Sequence, residues 1–436
     1  MQRSRNGRTS QSRYSPAPGE GRARQRAFVV SVTPEGDDVS ELKELLRTAG
    51  VATVGELVQH RDKPHPNLYL GPGKVDELKP LLGRHDANLV VADDELTPRQ
   101  QRNLEQQLDM PVLDRTAVIL DIFADHAHTA EGKLQVELAQ LEYNLARMRG
   151  LWTHLERLGG GIGTRGPGET QIETDRRLAR DRIAALRRRL EEVKSTRSVM
   201  RAERERAHLP SVALAGYTNA GKSTLLNALT GAEVSVRDRL FHTLDPTTRT
   251  LRMEGRTYLL TDTVGFIRKL PHQLVEAFAA TLEETIRADL VLHVVDASAD
   301  EDDMADMMRA VEDVLEEIGA GEQPRLLVLN KADALDEERR RELSFRHPDG
   351  VIVSALTGEG LEELGERIAH EFEKALVDVD LLVPFSEGGT LSELHHLAGD
   401  LERTDTAEGV RVAVRLPRAV AARFDRYAVN GSGSTA

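Results

Sequence analysis

Ser211-Val-Ala-Leu-Ala-Gly216-Tyr217-Thr218-Asn219-Ala220-Gly221-Lys222-Ser223-Thr224-Leu-Leu-Asn-Ala-Leu229 decides the fold of the larger part of the chain. Ser211 to Ala215 reads as a buried strand and Ser223 to Leu229 as a helix. Between them stands the spacing G-x-x-x-x-G-K-S. Its glycines let successive backbone N–H groups face a polyphosphate, Lys222 supplies a cation to the β- and γ-phosphates, and the Ser223 hydroxyl suits Mg²⁺. Strand, glycine loop and helix in that order open a doubly wound, mainly parallel α/β sheet.

Three more motifs follow in the order such a site requires. Tyr258 to Thr261 is a strand running into Asp262-Thr263-Val264-Gly265. There Asp262 would support the metal shell through water, and Gly265 would offer its N–H to the γ-phosphate. Arg325 to Leu329 is a strand ending in Asn330-Lys331-Ala332-Asp333. A carboxylate at Asp333 can accept from both N1–H and the 2-amino group of guanine, a donor pair that adenine lacks. Asn330 would brace the loop and Lys331 would lie along the base. Val351 to Val353 then leads to Ser354-Ala355-Leu356, whose backbone would meet the guanine carbonyl. The nucleotide expected from this order is GTP rather than ATP.

Between the first two motifs lies Phe241-His242-Thr243-Leu244-Asp245-Pro-Thr-Thr-Arg249, a polar stretch suited to a mobile switch. Thr243, Thr247 and Thr248 all qualify as a Mg²⁺-binding threonine on this reading. The residue after Gly265 is Phe266, where a water-orienting glutamine would be useful. A phenylalanine cannot orient water by hydrogen bonding, so slow intrinsic hydrolysis is expected, with the missing group supplied from elsewhere.

Composition sets the surroundings. The 436 residues exceed one hydrophobic core, and no apolar run reaches the length of a bilayer span. The arginine-bearing N-terminus has no apolar h-region, and the absence of cysteine rules out disulfides and thiolate chemistry. A cytoplasmic, monomeric protein is the expectation. The net charge of −14 is uneven, with +6 on residues 1–26, +7 on 176–206 and −27 on the remainder. Clustered arginine suits an RNA phosphate surface, although solvated charge is the plainer reading of the N-terminal run. Arginine outnumbers lysine 48 to 10. That suits bidentate phosphate contacts and also follows from genome composition.

The expected fold class is α/β. Residues 1–26 form a basic tail without large apolar side chains, and 27–129 an α/β domain. A long antiparallel helical hairpin with a Gly-rich tip spans 130–208, the P-loop domain 209–376, a small α+β region 377–429, and a polar tail 430–436. The first hairpin helix carries Leu134, Leu138, Leu141, Leu145, Met148, Trp152 and Leu155 at alternating spacings of 4 and 3, and the second carries Ile183, Leu186, Leu190 and Val193. The run Gly159 to Gly168 between them is too glycine-rich to be helical. Gly71-Pro-Gly-Lys74 lacks full P-loop spacing and reads as a glycine turn capping the helix near Val75, with an ATP-binding turn as the rival.

Beyond the generic motifs, three stretches resemble the HflX family of ribosome-associated GTPases: Leu96 to Glu105, Val112 to Phe123 continuing through Glu131 to Leu141, and Gly159 to Arg177. The resemblance implies GTP hydrolysis with Mg²⁺ held by Ser223 and Thr243, which favours Thr243 over its rivals. It implies phosphate contacts from Gly216 through Ser223 and Thr224, a switch segment Phe241 through Asp245 with His242 at a position usually small, and γ-phosphate contacts from Asp262 through Gly265. Asn330 through Asp333 and Ser354 through Leu356 correspond to the base contacts. Among these, Lys222, Thr243 and Gly265 carry the catalytic expectation. The family implication extends to binding of the large ribosomal subunit (50S) and its rRNA, with stimulated hydrolysis and roles in splitting, rescue or assembly. A switch regulator of a protein complex with no RNA contact is the alternative.

Overall fold

The computed structural model describes residues 25–429 apart from 35, 37, 149–167, 207–208, 232–239, 242, 254–255, 270–278, 375 and 399–400. Residues 1–24 of the basic tail, the tail 430–436, the Gly159 to Pro167 loop, Trp152, Leu155 and His242 therefore lie outside the described residues, while Arg26, expected in the tail, opens the first strand. The chain divides into two compact units, one formed by residues 1–122 and 143–176, the other by 123–142 and 177–436.

The first unit is built on β1 (Arg26–Thr33), α1 (Ser40–Thr48), β2 (Ala52–His60), α2 (Pro72–Arg84), β3 (Leu89–Ala92), α3 (Pro98–Leu108) and β4 (Val112–Asp114). Its strands form a parallel sheet in the order β2-β1-β3-β4. β1 and β3 are near-continuous apolar runs, as a sheet covered on both faces demands. Phe28, Val30, Val90, Ala92, Leu70 and Val75 join in its core.

The polar residues of the first family-like stretch are scaffolding here. Thr97 and Gln100 close a capping box at the start of α3, with Pro98 in its first turn. Gln100 reaches His65 O, Gln101 reaches Val112 O and Asn103 reaches Asn67 O. The second stretch supplies a buried charge network. Asp114 accepts from Leu96 N–H, Tyr143 OH and Arg147, while Arg115, 2% exposed, pairs with Asp93 and Glu41. Pairing with opposite charge and hydrogen bonding offset much of the cost of burying such charges. At Gly71 the turn reading fits the geometry. Gly71 N–H is taken by Gln59, α2 begins at Pro72, and Lys74 pairs with Glu77.

α4 (Arg115–His126), α5 (Ala130–Arg147) and α6 (Gly168–Arg206) follow. On α6 the stripe Ala179, Ile183, Leu186, Leu190 is buried. On α5 the leucines of the expected seam are only half-buried, while Val136, Ala139, Tyr143 and Arg147 are buried. That helix is covered on more than the one face its leucine spacing marks. Arg182 pairs with Glu137 and Arg187 with Glu142, joining α6 to α5.

The second unit contains a six-stranded sheet, ordered β10-β9-β8-β5-β7-β6. Its elements are β5 (Ser211–Gly216), α7 (Lys222–Thr230), β6 (Thr247–Met253), β7 (Arg256–Asp262), α8 (Ala279–Ile286), β8 (Leu290–Asp296), α9 (Glu301–Glu317), β9 (Arg325–Asn330), α10 (Glu337–Arg346), β10 (Val351–Ile352) and α11 (Leu361–Lys374). All neighbours are parallel except the edge strand β6, which runs antiparallel to β7. A core of Val212, Leu214, Leu225, Leu260, Leu292 and Val328 joins β5, β7, β8 and β9 to α7. β11 (Leu376–Val383), β12 (Glu402–Asp405) and β13 (Val410–Pro417) form a separate antiparallel sheet, with α12 (Gly388–Ala398) and α13 (Arg418–Ala421). Leu381, Leu394, Val412 and Phe424 fill its core. Among the described residues no helix is long and apolar enough to cross a membrane.

Candidate nucleotide site

The four nucleotide motifs stand at the carboxyl ends of β5, β7, β9 and β10, and the chain leaves the central strand β5 for neighbours on opposite sides. In a doubly wound sheet this is the crevice where ligands bind. The loop after β5 turns through left-handed backbone at Asn219 and Gly221 (φ 62° and 92°), a conformation glycine adopts freely. Lys222 curls back over this loop, its ammonium donating to Gly216 O at 3.0 Å and Tyr217 O at 2.8 Å. Burial pushes that ammonium down to about 8, while the Asp262 carboxylate pulls the other way. A desolvated cation of this kind favours an anionic ligand that restores its charge. Gly265 is close by, so that even a Cβ on it would lie 3.1 Å from Lys222 Nζ.

Ser223, Thr243 and Asp262 converge. Ser223 Oγ lies 2.8 Å from Thr243 Oγ1 and donates to Asp262 Oδ2 at 2.5 Å. Asp262 is wholly buried, its other carboxylate oxygen has no protein partner, and burial raises its pKa despite Lys222 nearby. Two hydroxyls beside a carboxylate with an unused oxygen fit a Mg²⁺ ion that keeps waters and takes phosphate oxygens. Among the described residues no group of three His, Asp or Glu side chains is placed to hold a metal ion by itself. Thr247 and Thr248 are paired along the edge strand instead, with Thr248 Oγ1 3.0 Å from Thr261 Oγ1. Leu244 and Val264 are buried, and Thr263 donates to Leu214 O.

The loops expected to read the base brace each other. Asn330 Nδ2 donates to Ala220 O at 2.8 Å, and its Oδ1 accepts from Ala355 N–H at 3.0 Å. Ser354 Oγ donates to Asp333, and Ala332 N–H donates to Val353 O. Leu356 is exposed beyond them. Lys331, expected along the base, binds Asp296 at the end of β8. Neither Asp296 nor Arg340 stands out in the sequence. Arg340 donates to Ala332 O at 2.7 Å and pairs with Glu359, whose own carbonyl accepts from Ser354 N–H. Phe266 is fully buried, with its backbone bridged to Gly216 and Thr218, so its side chain offers nothing to an attacking water.

Three family models match: GTP-binding GTPase N-terminal over residues 36–124, GTP-binding GTPase Middle Region over 126–204, and 50S ribosome-binding GTPase over 211–331. The GTPase HflX of Lacrimispora saccharolytica is 47% identical across 90% of this chain and 94% of its own length. That of Escherichia coli K12 is 46% identical across 87% and 90%. Among solved structures, a GTP-binding protein from the archaeon Sulfolobus solfataricus in complex with GDP matches at 26% identity, covering 79% of this chain and 98% of that one at a TM-score of 0.42. The chain belongs to the HflX family of GTPases, and GTP binding and hydrolysis are its activity.

Proposed function

We propose that this GTPase is a switch that docks on the large ribosomal subunit through its helical stem, with Lys222, Thr243 and Gly265 as its phosphate-sensing centre. The observation that carries the docking is the exposed face of α6. Arg177, Arg180, Arg188 and Arg189 are exposed there, without an acidic partner among the described residues. Arg182 and Arg187 are spent on α5. The family model named for 50S binding points the same way.

In this reading Lys222 holds the β- and γ-phosphates, Ser223 and Thr243 hold Mg²⁺, and Asp262 anchors its water shell. Gly265 N–H senses the γ-phosphate, and Asp333 reads guanine with Asn330 as its brace. Bound Mg²⁺ would neutralise charge developing on the phosphoryl oxygens. Because Phe266 is buried, rapid hydrolysis awaits a group supplied by the docked partner. The four segments set out from the sequence between residues 27 and 429 serve as its domains, and the protein acts as a cytoplasmic monomer.

Co-sedimentation with purified 30S, 50S and 70S particles, with a GTP analogue and with GDP, tests the proposal. Retention should be on 50S and fall steeply with salt, with a log–log slope of about −0.7 to −0.9 per phosphate neutralised. Arg188→Ser with Arg189→Ser should flatten that slope. Retention that ignores salt, or a slope unchanged in the double variant, would refute an RNA surface on α6 and leave a protein-only partner.

A further inference from the structure

The switch segment is held by residues outside every nucleotide motif. α4 ends at His126 and α5 begins at Ala130, and the turn between them belongs to the same compact unit as the nucleotide site. Asp245 Oδ2 accepts the backbone N–H groups of His128 and Thr129 at 2.9 and 2.8 Å, and Oδ1 accepts the Thr129 hydroxyl. Thr129 in turn caps α5, its Oγ1 accepting Gly132 N–H at 2.9 Å. A Cβ at position 132 would collide with Asp245 Oδ1, so only glycine permits this approach. Four residues back, Phe241 is gripped as well. Its carbonyl lies 2.7 Å from His126 Nδ1, and since a carbonyl only accepts, Nδ1 carries the proton. The Phe123 and Phe241 rings meet edge to face at 4.6 Å.

Phe241 sits in left-handed backbone (φ 56°) and is buried. A bulky residue stays there only when its surroundings hold it. Thr243 lies midway between these two anchors, two residues from each, with its hydroxyl beside Ser223. So short a span has little slack, and the place of Thr243 depends on both anchors.

We propose that Asp245 and the turn 126–132 form a clasp that positions Thr243 on the metal site and couples the bound nucleotide to the first turn of α5. This rests on Thr243 being the switch threonine. When the γ-phosphate is lost and the segment leaves, His128 and Thr129 N–H lose their acceptor and α5 loses a charge-assisted cap. Coupling is reciprocal, so a partner that tightens the turn favours GTP over GDP by the same factor. Asp245 is a positioning residue, acting through Thr243.

Hydrogen exchange on the full chain tests this. With a non-hydrolysable GTP analogue and Mg²⁺, the amides of His128, Thr129 and Gly132 should exchange about 10-fold or more slowly than with GDP, as for lost bonds to a charged acceptor. Asp245→Ala should erase that difference and lower GTP-analogue affinity about 10-fold relative to GDP affinity. Asp245→Asn should keep part of both. Gly132→Val should reproduce the loss from the opposite side. Asp245→Ala should also raise the Mg²⁺ needed for half-maximal turnover and add nothing in a Thr243→Ala background. Equal protection in both nucleotide states, or GTP-analogue and GDP affinities falling together, overturns the clasp. If protection follows the nucleotide while Thr243→Ala leaves the Mg²⁺ requirement unchanged, the clasp stands and the assignment of Thr243 fails.

Discussion

The loops proposed to read guanine and the proposed switch segment are two halves of one candidate site, held in different ways. Asn330, Asp333, Ser354 and Ala355 hold one another, and Arg340 with Glu359 ties both loops from α10. Every one of those partners belongs to the P-loop sheet and its own helices. Thr243 is flanked instead by anchors on the α4–α5 turn. A base is present in both GTP and GDP, so its reader can be permanent. A γ-phosphate sensor must leave, and its supports sit where leaving can be felt.

In the proposed reading Lys222 serves both halves, meeting the phosphates whichever nucleotide is bound. Lys222→Ala should give the largest effect, a loss of GTP turnover of about a hundredfold or more with the fold intact, as for loss of a charge-stabilising donor. Single-turnover hydrolysis with circular dichroism checks both parts, and unchanged turnover would put the chemistry elsewhere. Asp333→Asn attacks the permanent half alone. It should weaken GTP and GDP alike by about a hundredfold, since two bonds to a charged acceptor are lost, and turn preference toward xanthosine nucleotides. Competition between guanosine and xanthosine triphosphates decides it.

Arg340→Ala sharpens the contrast at smaller scale. The side chain touches no nucleotide motif except through Ala332 O and Glu359, and it is partly exposed. GTP and GDP affinities should fall together by about threefold to tenfold, the range for one charge-assisted bond, with their ratio and the Mg²⁺ requirement unchanged. A change in the ratio would mean that the two halves are not separately held.

How much of this is readable in advance follows from how local each feature is. The P-loop, Asp262-Thr-Val-Gly265, Asn330-Lys-Ala-Asp333 and Ser354-Ala-Leu356 are short runs at strand ends, and the apolar strands before them declare the parallel sheet. β6 is harder, because Thr247–Met253 is a polar edge strand whose pairing with β7 no apolar alternation announces. Long-range partners are invisible: nothing near Arg340 points to Glu359, nor does anything near Asp245 point to Thr129. Charge gives no notice of burial either: Asp114 and Arg147 are buried against each other, and Arg115 is buried against Asp93 and Glu41. Leucine spacing on α5 marks one covered face and misses a second formed by Val136, Ala139, Tyr143 and Arg147.

His293 tests the permanent half without touching the nucleotide, and its effect is the smallest at neutral pH. It lies on β8 opposite Ala215 of β5, 4% exposed, with Nε2 lacking a hydrogen-bond partner. Burial, then the cations Arg325 and Lys222, lower its pKa from 6.5 to about 4. The folded state therefore keeps it neutral where the unfolded chain already binds a proton. Stability should be unaffected above pH 6.5, fall as pH drops from there, and level off below about 4, a loss on the order of 3 kcal/mol from this group. His293→Gln, an uncharged polar replacement, should flatten that part of the profile in denaturant titrations between pH 4 and pH 7. Because β8 carries no part of the clasp, the protection of His128 and Thr129 by a GTP analogue at pH 7 should be the same in this variant. A profile as steep as before would show that His293 is not the group being titrated, and altered protection at pH 7 would show that the two halves share more than Lys222.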